Sequence, residues 1–71
     1  MAQDAFEAAR SRYTAAYEAY QQASKRVAQK LASGLVPSAE EVDYEAKATE
    51  QLAAARRELL NVMTRLTPPR H

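Results

Sequence analysis

The chain has 71 residues, with ten Lys and Arg against nine Asp and Glu, no cysteine, and one histidine at the last position. This length allows a single small domain, and the balanced charge excludes a strong electrostatic attraction to nucleic acid or to an anionic membrane. The lack of cysteine excludes disulfides and thiolate metal sites. The N-terminal segment does not resemble a signal peptide, and no apolar run is long enough to span a membrane. We therefore expect a cytoplasmic protein without a cofactor.

The first predicted element is an amphipathic helix over about residues 3–32. Sixteen alanines and a single glycine in the chain favour helical structure. The large apolar residues of this helix recur at helical spacing on one face, at Phe6, Tyr13, Tyr17, Tyr20, Val27 and Leu31. Alanines repeat every seven residues at Ala2, Ala9, Ala16 and Ala23. We expect this alanine row to lie along the flank of the stripe.

A turn over about residues 33–37 follows. Gly34 suits the left-handed position that ends a helix, and Leu35 is expected to fold back onto Leu31. Ser38 and Glu41 have the spacing of a capping box, which predicts that the second helix starts near residue 38. Val36, unlike Leu35, has no expected packing partner within the hairpin.

The second predicted helix covers about residues 38–66. Its main apolar seam is expected at Tyr44, Ala48, Leu52, Ala55, Leu59, Val62 and Leu66. A weaker strip beside this seam contains Val42, Ala46, Ala53 and Leu60, and Met63 lies between the two. Pro68 and Pro69 end the helix because proline cannot continue its hydrogen bonds. Residues 67–71 are expected to form a loose tail.

The predicted fold is all-α, a single antiparallel two-helix hairpin over residues 1–71. Each helix begins with acidic and ends with basic residues, so the antiparallel arrangement brings opposite charges together. One helix–helix seam cannot bury all the large apolar side chains, so we expect a homodimer that forms a coiled-coil-like four-helix bundle. The alanine row and the weaker strip are the expected second seams. The residues expected in the core or dimer seam are Phe6, Tyr13, Tyr17, Tyr20, Leu52, Leu59, Leu60, Met63 and Leu66.

Catalytic and metal-binding chemistry is not expected from this sequence. His71 is the last residue, and no base–nucleophile pair can be built around it. The acidic residues 40–45 are explained by the start of a helix, whose dipole they complement. The basic residues 25–30 and 56–57 have acidic neighbours in the hairpin, which makes nucleic-acid binding a weaker interpretation. We therefore expect no enzyme activity and no metal site.

The end of the hairpin is the predicted partner-binding site. Leu35, Val36, Val42 and Tyr44 cluster around the turn, where little core lies behind them. Local packing onto Leu31 is one interpretation of these residues. The other is an apolar projection with a tyrosine anchor that docks into a pocket of another protein. The exposed parts of the tyrosine face on the first helix are the alternative site.

Three kinds of protein resemble this chain. The stretch LASGLVP is similar to the turn of small two-helix co-chaperones of bacterial type III secretion, which hold a needle subunit together with a second chaperone. The size and hairpin also resemble phage-encoded proteins that dimerise and inhibit host regulators, including quorum-sensing anti-activators and pilus-motor inhibitors. The third resemblance is to the plasmid-encoded Rop-type dimer that binds RNA across helix one. That face here carries Glu7, Glu18 and the tyrosines, which differs from an RNA-binding surface.

The function expected from these patterns is that of a non-catalytic protein-binding module. The second of these resemblances implies a phage-encoded anti-activator type, which docks on a larger bacterial regulator, motor or chaperone and inhibits it by covering a functional surface. The type III secretion co-chaperone and the Rop-like RNA-binding dimer are the alternatives.

Overall fold

The computed structural model describes residues 2–66, which form two α-helices joined by one turn. Helix α1 spans Ala2–Ala32 and helix α2 spans Ala39–Leu66. The helices pack against each other as an antiparallel hairpin, and the described residues contain no β-strand. The expected all-α hairpin is therefore confirmed, while the tail expected over residues 67–71 lies outside the described residues.

The end of α1 is built around Gly34, whose φ of 75° lies in the left-handed region. The Leu35 N–H donates to the Lys30 carbonyl at 2.8 Å, and the Gly34 N–H donates to the Leu31 carbonyl at 3.1 Å. These two bonds form a Schellman motif, which satisfies carbonyls that the helix itself leaves free. A side chain at this φ would strain the backbone, so glycine is the residue that suits the position.

The start of α2 is a complete capping box. The Glu41 N–H donates to the Ser38 hydroxyl oxygen at 3.1 Å, and the Ser38 N–H donates to the Glu41 carboxylate at 2.9 Å. Both hydrogen bonds satisfy backbone donors that the first turn of a helix leaves without an intrahelical acceptor. The chain therefore leaves one helix and enters the next with both helix ends fixed by local hydrogen bonds.

The side of α1 that faces α2 alternates large and small residues. Its buried and half-buried positions follow steps of three and four residues, at Phe6, Ala9, Tyr13, Ala16, Tyr20, Ala23, Val27 and Lys30. Ala9 and Ala23 are buried and Ala16 is half-buried, so these three alanines lie in the seam, and their predicted place along the flank was wrong. Small side chains allow two helix axes to come close, and the larger neighbours then turn outward from the line of contact.

The matching side of α2 starts with two glutamates and continues with apolar residues. Its seam positions are Glu41, Glu45, Ala48, Leu52, Ala55, Leu59 and Val62. Tyr44, which was predicted in this seam, is 60% exposed because Glu45 occupies the seam position three residues before Ala48.

The buried core of the described hairpin is small. It consists of four alanines and one valine, namely Ala9, Ala23, Val27, Ala48 and Ala55, and no large side chain among the described residues is fully buried. Because hydrophobic stabilisation scales with the apolar area removed from water, this seam stabilises the hairpin only modestly. The larger apolar side chains remain half-buried or exposed.

The alanine seam leads to a direct test. Ala9→Leu is expected to reduce the free energy of unfolding by about 1–3 kcal/mol, because a leucine overpacks a fully buried position. The thermal midpoint, followed by circular dichroism, should fall by about 4–8 °C for each kcal/mol lost. Ala8→Leu is the matched control, since the adjacent Ala8 is exposed. Equal midpoints for the two variants would contradict the seam assignment.

Candidate functional site

The candidate functional features of the described residues are surfaces rather than a catalytic or metal-binding site. Among them, no group of three acidic or histidine side chains is placed to hold a metal ion. Their buried side-chain nitrogen and oxygen atoms all have hydrogen-bond partners. Neither α1 nor α2 contains an apolar stretch long enough to cross a bilayer.

Exposed apolar side chains are the most prominent feature of this surface. The large apolar residues that remain exposed are Tyr17, Leu31, Leu35, Val36, Val42, Tyr44, Leu60 and Met63. Scattered exposed apolar residues are normal on a soluble protein, whereas a contiguous group marks a contact surface. Their distribution around the hairpin therefore decides what they indicate.

One flank of the hairpin carries a cross-helix ion pair and shallow grooves. Arg12 Nε lies 3.1 Å from the Glu58 carboxylate, which ties the two helices together on this side. The residues on this side of the hairpin each precede a seam position. We call this side the ion-pair flank, and its residues are Arg12, Ala19, Arg26, Tyr44, Gln51 and Glu58. Two grooves run along it, one floored by alanines beside Arg12 and the other lined by Arg26 and Tyr44.

The opposite flank carries several large apolar side chains among polar and charged residues such as Glu7, Arg10 and Arg56. Tyr17 and Leu31 of α1, with Val42 and Met63 of α2, each follow a seam position by one residue. In an antiparallel pair of helices, the residues that follow the seam positions on both helices lie on the same side. We call this side the apolar flank. All four of its defining residues are exposed.

The turn end of the apolar flank holds the densest group of exposed aliphatic side chains. We call this group the tip cluster, formed by Leu31, Leu35, Val36 and Val42. Val36 is 90% exposed, and Leu31 and Leu35 are each more than half exposed. The Schellman motif and the capping box fix the backbone beneath them. The cluster is therefore an apolar projection on a rigid turn.

The residues predicted to bind a partner do not all share this surface. Leu35, Val36 and Val42 belong to the tip cluster, whereas Tyr44 lies on the ion-pair flank beside Arg26. Two residues along a helix are roughly 200° apart around its axis, so Val42 and Tyr44 face opposite sides. Leu31, which was predicted on the apolar stripe of the first helix and as a packing partner for Leu35, is exposed and adds to the cluster.

The residues predicted for the core or dimer seam divide into two groups. Half-buried between the helices are Phe6, Tyr13, Tyr20, Leu52 and Leu59. Exposed on the surface are Tyr17, Leu60 and Met63, while the side chain of Leu66 lies outside the described set. The Tyr13 and Tyr17 rings are stacked, with centroids 6.2 Å apart and planes at 26°. This stack extends the aromatic surface from the seam onto the apolar flank.

Charges near the tip are paired across the turn. The Lys30 ammonium lies 2.5 Å from the Glu41 carboxylate, which also accepts the Ser38 N–H. The Lys30 hydrogen bond, followed by that from the Ser38 backbone, lowers the pKa of Glu41 to about 2. Glu41 thus joins the end of α1, the turn and the start of α2, and it leaves little net charge beside the tip cluster.

No protein-family model matches the chain, and no curated protein or solved structure is significantly similar to it. The resemblances to secretion co-chaperones, phage-encoded inhibitors and Rop-type dimers stay predictions. What supports a function is the geometry of the tip cluster and of the two flanks.

The depressed pKa of Glu41 predicts an acid-dependent loss of stability. The ionised carboxylate is favoured in the folded state, so its stabilisation is fully present above the ordinary pKa of 4.5 and disappears as the pH falls toward 2. Chemical unfolding measured at several pH values should show that Glu41→Gln loses less stability than the natural chain over this window. Glu40→Gln is the control, because the neighbouring Glu40 makes neither the Lys30 nor the Ser38 hydrogen bond. Parallel pH profiles for the natural chain and Glu41→Gln would contradict this role.

Proposed function

We propose that this chain is a non-catalytic protein-binding module that docks through its tip cluster on a larger protein and regulates or inhibits it. The observation that supports this function is the set of exposed aliphatic side chains at the tip, above all Val36 at 90% exposure. Binding energy in protein interfaces concentrates in a few residues that fill pockets on the partner. A rigid apolar tip is suited to that role, because little conformational freedom is lost on binding.

The partner surface that fits the tip is an apolar pocket or groove. Lys30 and Glu41 neutralise each other beside the cluster, so the tip presents little net charge. Ser33 and Ser38 add small polar groups around the apolar residues. Binding through such a surface should depend weakly on salt, in contrast to contacts with phosphates, whose affinity falls steeply with ionic strength.

One ion pair weakens the RNA-binding alternative. Of the basic residues expected to contact RNA, Lys30 contacts Glu41, so a carboxylate lies where a phosphate would have to bind. The secretion co-chaperone alternative uses the same type of apolar surface. It differs in the identity of the protein that covers the surface.

A pull-down tests the proposed function. The tagged chain is used to capture proteins from a bacterial lysate, with and without nuclease, and mass spectrometry identifies what is retained. We expect one dominant protein that resists nuclease, and we expect Val36→Ser to reduce its affinity at least tenfold, by about 1.4 kcal/mol or more. Val36 lies in the turn outside both helices, so this substitution should leave helicity unchanged.

Tyr44→Ala is the comparison variant, because it removes an exposed apolar residue from the opposite flank. Lost binding with Tyr44→Ala and full binding with Val36→Ser would contradict the tip cluster and move the site to the ion-pair flank. Recovery that disappears with nuclease would support the RNA-binding alternative instead. Capture of a secretion needle subunit with a second chaperone would support the co-chaperone alternative.

A further inference from the structure

Helix α2 carries a second heptad stripe outside the hairpin seam. Its members follow steps of four and three residues, and all are exposed: Val42, Ala46, Thr49, Ala53, Arg56, Leu60 and Met63. We call them the α2 stripe. It runs for roughly 32 Å at 1.5 Å per residue, and its centre lies roughly 100° around the helix from the seam that faces α1. A helix in a four-helix bundle has two seams at about this angle.

The α2 stripe is complementary in size to itself when two copies run antiparallel. With a two-fold axis at Ala53, Ala46 meets the partner's Leu60 at the same level, and Val42 lies within one residue of the level of the partner's Met63. Thr49 then lies opposite the partner's Arg56, and Ala53 lies opposite the partner's Ala53. Large residues therefore meet small or flexible ones along the stripe, and Val42, Leu60 and Met63, which are each about half exposed in the hairpin, would be covered.

The charges beside the stripe fit the same arrangement. Glu50 and Arg57 occupy the row next to the stripe and are exposed. The antiparallel register places Glu50 opposite the partner's Arg57, and two-fold symmetry repeats this pair on the other side of the axis. A parallel arrangement would place the two rows that carry Glu50 and Arg57 on opposite sides of the interface, where this pair cannot form. Opposite charges on facing helices favour the antiparallel orientation over the parallel one.

We propose that two copies of this chain dimerise by packing their α2 stripes antiparallel, with the two-fold axis between Ala53 and the partner's Ala53. The symmetric alternative would pack the stripe on the partner's α1. There, Leu60 and Met63 would meet the partner's Arg10 and the partner's Glu7, and an ion pair joins those two residues in the hairpin. Covering this ion pair with apolar side chains costs desolvation energy. The α2–α2 arrangement places Arg56 in the seam, opposite the partner's Thr49, and it is favoured because only this arrangement pairs Glu50 with the partner's Arg57.

The position of Tyr17, an exposed tyrosine of α1, agrees with this axis. Arg12 pairs with Glu58 and Lys30 with Glu41 across the hairpin, so Tyr17 lies at about the height of Ala53. Tyr17 therefore stands next to the two-fold axis, on the flank that the partner covers. The neighbouring Glu18 comes close to the partner's Glu18, an exposed like-charge pair whose cost is small in water.

This dimer covers Val42 of the tip cluster but leaves Leu35 and Val36 available, so it does not rest on the proposed function. Leu35 and Val36 lie before α2 begins and outside the paired stretch 42–63. The antiparallel arrangement places the two turns at opposite ends of the bundle, roughly 55 Å apart at 1.5 Å per residue. The dimer would present two copies of the exposed turn residues Leu35 and Val36, and a partner with two sites could bind it more tightly than a single hairpin.

Cysteine cross-linking tests the position of the axis, because the chain has no cysteine of its own. Ala53→Cys should form a disulfide-linked dimer under mild oxidation, since each new thiol faces its copy across the axis. Ala54→Cys is the matched control, an exposed alanine of the same helix outside the stripe. Non-reducing electrophoresis should show a dimer band for the first variant and monomer for the second. Equal cross-linking of both variants would overturn the proposed axis.

Charge reversal tests the register without any covalent bond. Sedimentation equilibrium should show that Glu50→Arg and Arg57→Glu each weaken the dimer by about fivefold or more, because each change creates two like-charge pairs. The combined variant restores both pairs and should recover the natural dimerisation constant. Failure of this recovery, or a monomer mass for the natural chain at every concentration, would overturn the proposal. Val36→Ser, in the turn, should leave dimerisation unchanged. A failure of the proposed partner binding can therefore be distinguished from a failure of the proposed dimer.

Discussion

The close contact of two helices through alanine determines the rest of this structure. Ala9 and Ala23 of α1 and Ala48 and Ala55 of α2 are buried where the helices meet. Because alanine has no side-chain entropy to lose and occupies little space, a helix contact of this kind forms readily but removes little apolar area from water. The larger apolar side chains are thereby left around the contact, and their positions define the surfaces of the molecule.

The turn gives one of these surfaces a fixed shape. Gly34 ends α1, Ser38 and Glu41 start α2, and Lys30 links the end of the first helix to Glu41. These interactions are short-range and involve no core, so they hold the tip in place even though few residues pack beneath it. A rigid, exposed and nearly uncharged apolar tip is the basis for the proposed protein-binding function, whereas the α2 stripe is the basis for the proposed dimer.

The sequence predicts the local features of this fold better than its packing. Gly34 and the Ser38–Glu41 spacing are recognisable because helix ends depend on residues that are close in the chain. The seam is harder to predict, because Tyr44 and Glu45 both lie at helical spacing from Ala48. Hydrophobic periodicity favours the apolar Tyr44 for the seam position that Glu45 occupies. The alanine row was misplaced for the same reason, because side-chain size does not show which residues lie at the closest approach of two helices. The separation of Val42 from Tyr44 follows only from the true register.

The hairpin seam leaves apolar surface on α2 that the proposed dimer would cover. Thermal unfolding by circular dichroism, over a roughly hundredfold range of protein concentration, tests this dimer most directly, because association stabilises the folded state by mass action. We expect a midpoint that rises with concentration, together with a dimer mass by sedimentation equilibrium. A cooperative transition at a constant midpoint, with a monomer mass throughout, would contradict the proposed dimer.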